Sequence, residues 1–576
     1  MSAGPTIHPK RPEVVTDGVA SSRPRWLEIA TSGDHKDVGR MLIAGSLAFL
    51  ALALIEFLLI RLQLAVPENT MIEPVTFNRL LSVMGVSLVV LFALPLVLGL
   101  YTYLVPLQIG ARALAFPRLA NLSTWLYIVG GAILYTSFVY TPPEAGINPL
   151  PPLSDTAFIS NNGVDVWITA VGLSVLGFVL LGINLLVTLR RLRAPGLATR
   201  RLPPFAFSAG VSSWILLIAG PAMLAALVML EMDRRFEGVF FDPGGGGAPT
   251  YWQHLSWIFM TGCYLLMVIP AAAAISEILP TFARKPLISR RAVNLSLAAT
   301  GAIGLLAWMQ NMLTASIPIG WLYFAMAAAL LLIVPVGVLF VNWLATLASG
   351  AIELRAPMLF ALAAISTLSI GLVAELFHAV IPVNWLLADT ADATAATGYV
   401  VVGGPVLGGI AALHYWFPKL TGRFMGESLA RFSLVAILIG AHLTLLPMFL
   451  AGLDGQQADV YKYFEDDLYA DGVVGTFQSL DTYNLISSIG ALVLVTGIVM
   501  SLVNAARSAG HGRRAGHDPW RGDTLEWLAL SPPPPHNFDV VPDVRSDEPM
   551  RDIRDAVKRR HPPVPASRAK SGEPVA

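Results

Sequence analysis

The sequence predicts an all-α integral membrane fold, a bundle of twelve transmembrane helices, on three observations. Of 576 residues, 55% are hydrophobic and only 13% charged, about half the roughly 25% charge of a soluble domain. The apolar residues gather in runs, each near the ~20 residues that carry a helix across the hydrocarbon core of a bilayer. Twelve such runs follow one another, and lipid offers free backbone groups no partner, so every run is expected to be helical.

A polar, Pro-rich stretch (1–40) without the apolar core of a cleavable signal peptide precedes the first run. The first run, 41–64, contains one carboxylate, Glu56. The second (80–107), third (121–141) and fourth (165–189) are separated by loops that carry Arg112 and Arg118 on one side. The fifth (208–231) leads to the sixth (254–280), which holds His254 and the single cysteine, Cys263. The seventh (292–317) and eighth (320–348) are followed by the ninth (356–380), where Glu375 and His378 share a helix face. The tenth (394–418) is rich in small residues, the eleventh (432–453) carries His442, and the twelfth spans 479–504. This divides the chain into an N-terminal segment (1–40), a membrane domain (41–505) and a tail (506–576). The tail is Pro-rich and charged, with Pro532 to Pro535 in a row, and reads as an extended surface segment.

One alternating set of loops carries fifteen Lys and Arg, from Arg112 to Arg431; the other carries five, namely Arg61, Arg79, Arg234, Arg235 and Lys462. Basic loops stay in the cytoplasm, so both termini are expected there, in a bacterial plasma (inner) membrane. With 38 basic and 38 acidic residues the net charge is zero, which gives no electrostatic footprint for nucleic acid. One cysteine excludes a disulfide framework and any cysteine-based zinc or iron–sulfur site.

Several unusual strings recur in one order. They are Asp34-His35-Lys36, Arg61-Leu62-Gln63-Leu64, Tyr103-Leu104-Val105-Pro106-Leu107, Ile109-Gly110-Ala111-Arg112 and Ala115-Phe116-Pro117-Arg118. Further on come Gln253-His254-Leu255, Pro280-Thr281-Phe282, Trp343-Leu344-Ala345-Thr346-Leu347, Trp416-Phe417-Pro418-Lys419, Asp518-Pro519-Trp520 and Thr524-Leu525-Glu526-Trp527. Over roughly 31–545 the chain resembles subunit I of the haem–copper oxidases, the catalytic subunit of cytochrome c oxidase. The resemblance implies two haems and one copper: a low-spin haem between two histidines, and a second haem facing a copper held by three more. Imidazole suits both metals.

Ungapped correspondence with the family's motifs puts none of the six histidines in place. Its Met-His-Gly falls on Val83-Met84-Gly85, so the first low-spin position is Met84; the tenth-helix pair falls on Ala396 and Gly398. The copper positions are Thr261, Gln310 and Asn311. The proton-donating glutamate falls on Cys263, the cross-linked tyrosine on Leu265, the lysine of one proton path on Leu339 and the aspartate of another on Ala113. The arginines that hold haem propionates fall on Ala458 and Asp459. Counting agrees. Of ten histidines, His8, His35, His511, His517, His536 and His561 lie outside the apolar runs, leaving His254, His378, His414 and His442 for six places.

Each remaining candidate has a bland reading. Met84 is expected to pack, because its partner position, Gly398, donates nothing. Thr261, Gln310 and Asn311 are expected to hydrogen-bond one another across helices, since neutral oxygens are poor copper ligands. Glu375 and His378 have the i, i+3 spacing of di-iron bundles but lack a second copy, and are expected to form a surface or subunit-contact pair. Glu56 is expected to be compatible with the family near a helix end, His442 to bond a neighbour's backbone or hydroxyl, and Cys263 to act as a small hydrophobe. Small residues in the tenth run let helices approach where haems would sit; the alternative is a retained apolar pocket that holds lipid or quinone.

The expectation is therefore a subunit I-like protein of a respiratory complex without haem or copper, catalytically inactive, with a structural or regulatory role. Its expected partners are membrane lipids and subunit II- and III-like proteins or an intact subunit I. The alternatives are an active terminal oxidase, passing electrons from cytochrome c to O2 with proton pumping, and a bundle reused for lipid or quinone binding or for transport.

Overall fold

The structure is a computed structural model that describes residues 25–348, 350–463, 480–541 and 543–560. His8, His561 and the acidic stretch beyond Tyr463 lie outside the described residues. Twelve helices are long and apolar enough to cross a membrane. They are α1 His35–Gln63, α2 Pro74–Gln108, α3 Pro117–Val139, α4 Gly163–Arg191, α5 Pro204–Arg235, α6 Pro249–Ala283, α7 Arg290–Met312, α8 Ile319–Ala348, α9 Ala356–His378, α10 Ala391–Thr421, α11 Glu427–Leu453 and α12 Leu480–His511. Among the described residues the only β pairing is two isolated bridges.

Most helices begin a few residues before their apolar runs because the first turn is polar and capped. Asp34 accepts the Lys36 amide at the start of α1, which satisfies one of the free amides of a helix N-terminus. Pro74, Pro117, Pro204 and Pro249 open α2, α3, α5 and α6, where no amide partner is lost. Two ends are left-handed caps, Arg284 (φ +54) and Gly422 (φ +75).

Most consecutive helices pack as neighbours, α8 and α9 excepted, and α12 returns against α1. Helices α2, α6 and α10 lie innermost: 78% of the apolar window of each is buried, against 22% for α8. A helix apolar on all sides can be covered on all sides. Small residues set the closest approaches. A Cβ at Gly39 would sit 2.8 Å from the Gly99 carbonyl oxygen, and one at Gly440 would lie 2.2 Å from the Leu494 amide, so α1–α2 and α11–α12 pack backbone to backbone. Both α2 and α10 widen to π-helix, over Ser87–Ala93 and Val402–Gly408. Such widening recurs at functional positions.

The tail departs from the expected extended surface segment. It folds across the end of the bundle where both described termini lie, here called the tail end. Glu526, Trp527 and Asn537 are fully buried. Glu526 Oε1 accepts from Trp416 Nε1 at 3.0 Å and from Gln108 Nε2 at 3.2 Å, and the same Gln108 amide reaches Glu277 Oε2 at 2.7 Å. Lys419 Nζ donates to the Ala529 and His517 carbonyls, and Asn537 bonds His35 and the Ala111 carbonyl. His35, outside the apolar runs, is thus a buried residue of the first helical turn. The tail carries enough Leu, Trp and Phe to bury once α2, α6 and α10 present matching polar groups. Composition alone does not reveal that match.

The basic residues of the opposite, far end are engaged, Lys462 with its ammonium over the Tyr461 ring. Arg61 bonds Asn484, Arg79 pairs with Glu144, and Arg234 and Arg235 pair with Asp165.

Candidate functional site

Near the far end, α6, α7, α8 and α9 enclose a cavity of about 400 Å3. Its wall is mostly apolar and includes Leu265, Val268, Val336, Phe340 and Leu372, with Thr261, Tyr264, Gln310, Asn311 and Glu375 also facing it. Thr261 and Tyr264 are brought there by one turn of α6. Gln310 and Asn311 come from the last turn of α7, tightened to 3-10 helix over Ala307–Met312. Tyr264 Oη donates to Glu375 Oε1 at 3.1 Å and also bonds Thr397 of α10.

The three copper positions of the resemblance therefore converge on one cavity. Asn311 Nδ2 donates to Thr261 Oγ1 at 3.2 Å, as expected, whereas Gln310 Nε2 donates to the Glu375 carbonyl at 3.3 Å. Leu265 lines the wall; Cys263 is buried outside it. Leu339 packs deeper, with Trp343, beside a void of about 10 Å3. Ala113 is exposed in the loop after α2.

The low-spin positions are packed. A Cβ at Gly398 would meet Leu445 Cδ2 at 2.6 Å, so Leu445 of α11 fills the face a side chain there would use. Ala396 is fully buried. Met84 packs with Phe77, Leu80 and Tyr463, and Ile147 stands 2.9 Å from where a Cβ at Gly85 would lie. His442 Nδ1 bonds the Tyr399 hydroxyl at 2.9 Å, a hydroxyl partner as expected. Closure by small residues thus describes this half, while the copper positions keep a cavity.

The reading of Glu375 and His378 as a surface or subunit-contact pair is corrected. His378 is 6% exposed and its Nε2 bonds Asp392 at 2.7 Å; Glu375 turns inward to Tyr264. They point to different partners because α10 begins beside the end of α9, a tertiary contact that i, i+3 spacing does not show. Glu56 is buried against Tyr135, whose hydroxyl also bonds Ser87 at 2.8 Å. His254 packs edge-on to Trp308 at 4.9 Å, and His414 Nδ1 bonds the Ile410 carbonyl at the tail end. Sequence reasoning missed Tyr264 and Thr397. The signal available was a tyrosine one turn from Thr261, but with the family tyrosine assigned to Leu265 its neighbour drew no notice.

The donor set does not fit haem and copper. No imidazole lines the cavity, and the amide and hydroxyl oxygens facing it are weak ligands for copper. Tyrosine can hold haem iron, yet the Tyr264 oxygen is committed to Glu375 and Thr397. At the propionate positions Ala458 donates its amide to the Asp389 carbonyl at 2.7 Å, and burial together with Asp389 pushes the Asp459 carboxyl up. Neither residue offers the cationic donor that a propionate needs. Among the described residues no three His, Cys, Asp or Glu side chains group as a metal site.

The family model described as Cytochrome C and Quinol oxidase polypeptide I matches residues 37–493. The chain belongs to that family. It is 35% identical over 524 residues to cytochrome c oxidase subunit 1 of Bacillus subtilis (strain 168), covering 90% of this chain and 82% of that one. It is 32% identical over 534 residues to cytochrome c oxidase subunit 1 of Synechocystis sp. (strain ATCC 27184 / PCC 6803 / Kazusa), covering 92% and 94%. To the probable cytochrome c oxidase subunit 1-beta of Nocardia farcinica (strain IFM 10152) it is 34% identical over 554 residues, covering 95% and 91%. A cryo-EM structure of a heme-copper terminal oxidase dimer matches with a TM-score of 0.70 over 83% of this chain and 84% of that one, at 14% identity; that likeness shows the fold. This polypeptide I is a multi-pass membrane protein whose family works in multisubunit oxidase complexes. Within that fold it carries Met84, Ala396 and Gly398, and Thr261, Gln310 and Asn311, where the resemblance places metal-binding histidines.

Proposed function

We propose that this polypeptide I is redox-inactive and serves as a structural or regulatory subunit of a respiratory complex in the bacterial plasma membrane. The observation that carries the reading is the donor set. The cavity at the copper positions offers amide, hydroxyl and carboxyl groups without imidazole, and Leu445 fills the low-spin side. Both termini are cytoplasmic in this reading, supported by the excess of basic residues in the loops at the tail end. Subunit II- and III-like proteins or an intact polypeptide I are the partners, since the motif strings at helix ends and in the tail are kept while the centre has changed.

The active-oxidase reading is favoured by one observation, the 32–35% identity along nearly the whole chain to cytochrome c oxidase subunits 1. A reduced-minus-oxidised visible spectrum of the purified protein, with copper by elemental analysis on the same sample, separates the two. The expected result is no haem band and copper well below one per chain. Stoichiometric haem with copper would overturn the proposal. The partner claim is tested by mild-detergent purification, with co-purifying oxidase subunits expected; a free monomer would sink it.

A further inference from the structure

The cavity at the copper positions has features that neither a scaffold nor a collapsed centre needs. Its ~400 Å3 falls within the range of small-molecule sites, which are typically apolar with a few convergent polar groups. The polar groups are linked by hydrogen bonds, Tyr264 and Gln310 to Glu375 and Asn311 to Thr261. Tyr264 and Glu375 are bonded to each other, Gln310 and Asn311 present amides, and Val268, Val336, Phe340 and Leu372 form an apolar wall. Glu375 engages the Tyr264 hydroxyl through Oε1, and Tyr264 is fixed from behind by Thr397, so the head-group side is ordered in advance.

The cavity also has an entrance. Ile333 of α8 and Val373 of α9 both line it and are 59% and 52% exposed. Both lie within helices long and apolar enough to cross a membrane, so the opening faces outward from those spans. Helix α8 makes its contacts with α6 and α7 and no extended contact with α9. It is interrupted at Leu332 between the segments Ile319–Leu331 and Ile333–Ala348, and Pro335 just beyond has no amide to return to the helix. The break stands at the lip of the cavity.

We propose that this cavity binds a membrane-soluble molecule with a carbonyl or hydroxyl head on an isoprenoid or acyl chain, entering from the bilayer between α8 and α9. The chain lies against Val336, Phe340 and Leu372. The head meets Glu375 and the amides of Gln310 and Asn311, which between them can accept from a hydroxyl or donate to a carbonyl. This site rests on the redox-inactive reading, because haem in the same place would exclude the ligand.

Trp257 lines the cavity and supplies a reporter. Purified protein in detergent is titrated with decylubiquinone, and tryptophan fluorescence is followed in the unaltered protein and in Trp257→Phe; the difference isolates the quenching at Trp257. Saturable quenching is expected. Gly337→Leu should weaken it, because Gly337 lines the cavity and an added Cβ there meets nothing within 4 Å. Val336→Phe serves the same purpose if Gly337→Leu does not fold. Glu375→Gln and Tyr264→Phe should each weaken binding by about tenfold, the scale of one hydrogen bond to a buried polar group. Displacement by farnesol would support a site that also accepts a hydroxyl head, and resistance to farnesol would support a carbonyl-specific one. Linear, non-saturating quenching, or quenching indifferent to filling the cavity in a folded variant, would overturn the site. Haem-free protein with no saturable quenching fails this inference alone, whereas a haem spectrum fails both it and the function on which it rests.

Discussion

The two ends of this bundle treat buried polar groups differently. At the tail end Glu277, Gln108, Glu526 and Trp416 are joined by direct hydrogen bonds, and Lys419 ties in the tail through the Ala529 carbonyl. A groove of about 610 Å3 lined by Arg284, His414 and Trp520 lies beside them. Near the far end Thr261, Gln310, Asn311 and Glu375 surround a cavity and make few bonds to one another. Family membership extends across both ends. The contrast is between buried polar groups under the tail, which bond to one another, and those at the positions corresponding to the family's copper ligands, which frame a cavity.

The largest test of this contrast is at the tail end. Trp527 is 1% exposed and packs on Tyr415 and under the Lys419 ammonium, so Trp527→Ala is expected to destabilise the protein by about 3–5 kcal/mol. Denaturant unfolding in detergent measures it, and a loss below about 1 kcal/mol would mean that the tail is not part of the core.

A matched pair of truncations compares the ends directly. Leu525→Ala in the tail (1% exposed) should cost about 4 kcal/mol, whereas Leu265→Ala on the cavity wall should cost about 2, both within the range for buried leucines. A side chain that already borders space has fewer contacts to lose. Equal losses would break the comparison.

The pH response sharpens it further. Burial pushes the Glu526 carboxyl up, with hydrogen bonds from Trp416, Thr524 and Gln108 opposing. A carboxyl raised in the folded state holds its proton more tightly there than in the undocked tail, so it favours docking below the ordinary carboxylate range. That contribution is lost as pH rises through the raised value. Glu277 and Lys419 face the same group, and the Asp523 carboxyl, also pushed up by burial, acts in the same direction. Protease cleavage within 520–530 should therefore increase with pH, and Glu526→Gln should flatten the profile; an unchanged profile would remove Glu526 as its source.

The smallest effect belongs to the surface. Glu353 is held below the usual carboxylate range by Arg355 and Arg284, the latter at 2.6 Å. Exposed pairs of this kind contribute about 0–1 kcal/mol and are screened by salt. Glu353→Gln should shift stability by no more than that, and less at high salt.

Much of the architecture was legible because membrane insertion imposes a length and a composition on every span. Twelve apolar runs became twelve helices, displaced only at their ends by capped polar turns. Thr261, Gln310 and Asn311, singled out by their correspondence with the family's motifs, line one cavity. What was hidden is how the side chains share space. Glu375 and His378 read as one pair by spacing, yet Tyr264 claims one and Asp392 the other. The tail read as extended, yet Glu526 and Trp527 are core.

By itself the sequence determined the membrane class, the number of spans, the family and the residue types at the positions corresponding to the family's motifs, because hydropathy and residue identity are properties of the chain taken one position at a time. Only the tertiary structure decided that Leu445 fills the space beside Gly398 while Thr261, Gln310 and Asn311 border a cavity, and that the tail packs onto the opposite end. Packing depends on volumes brought together from helices hundreds of residues apart, and no local pattern records how those volumes add up.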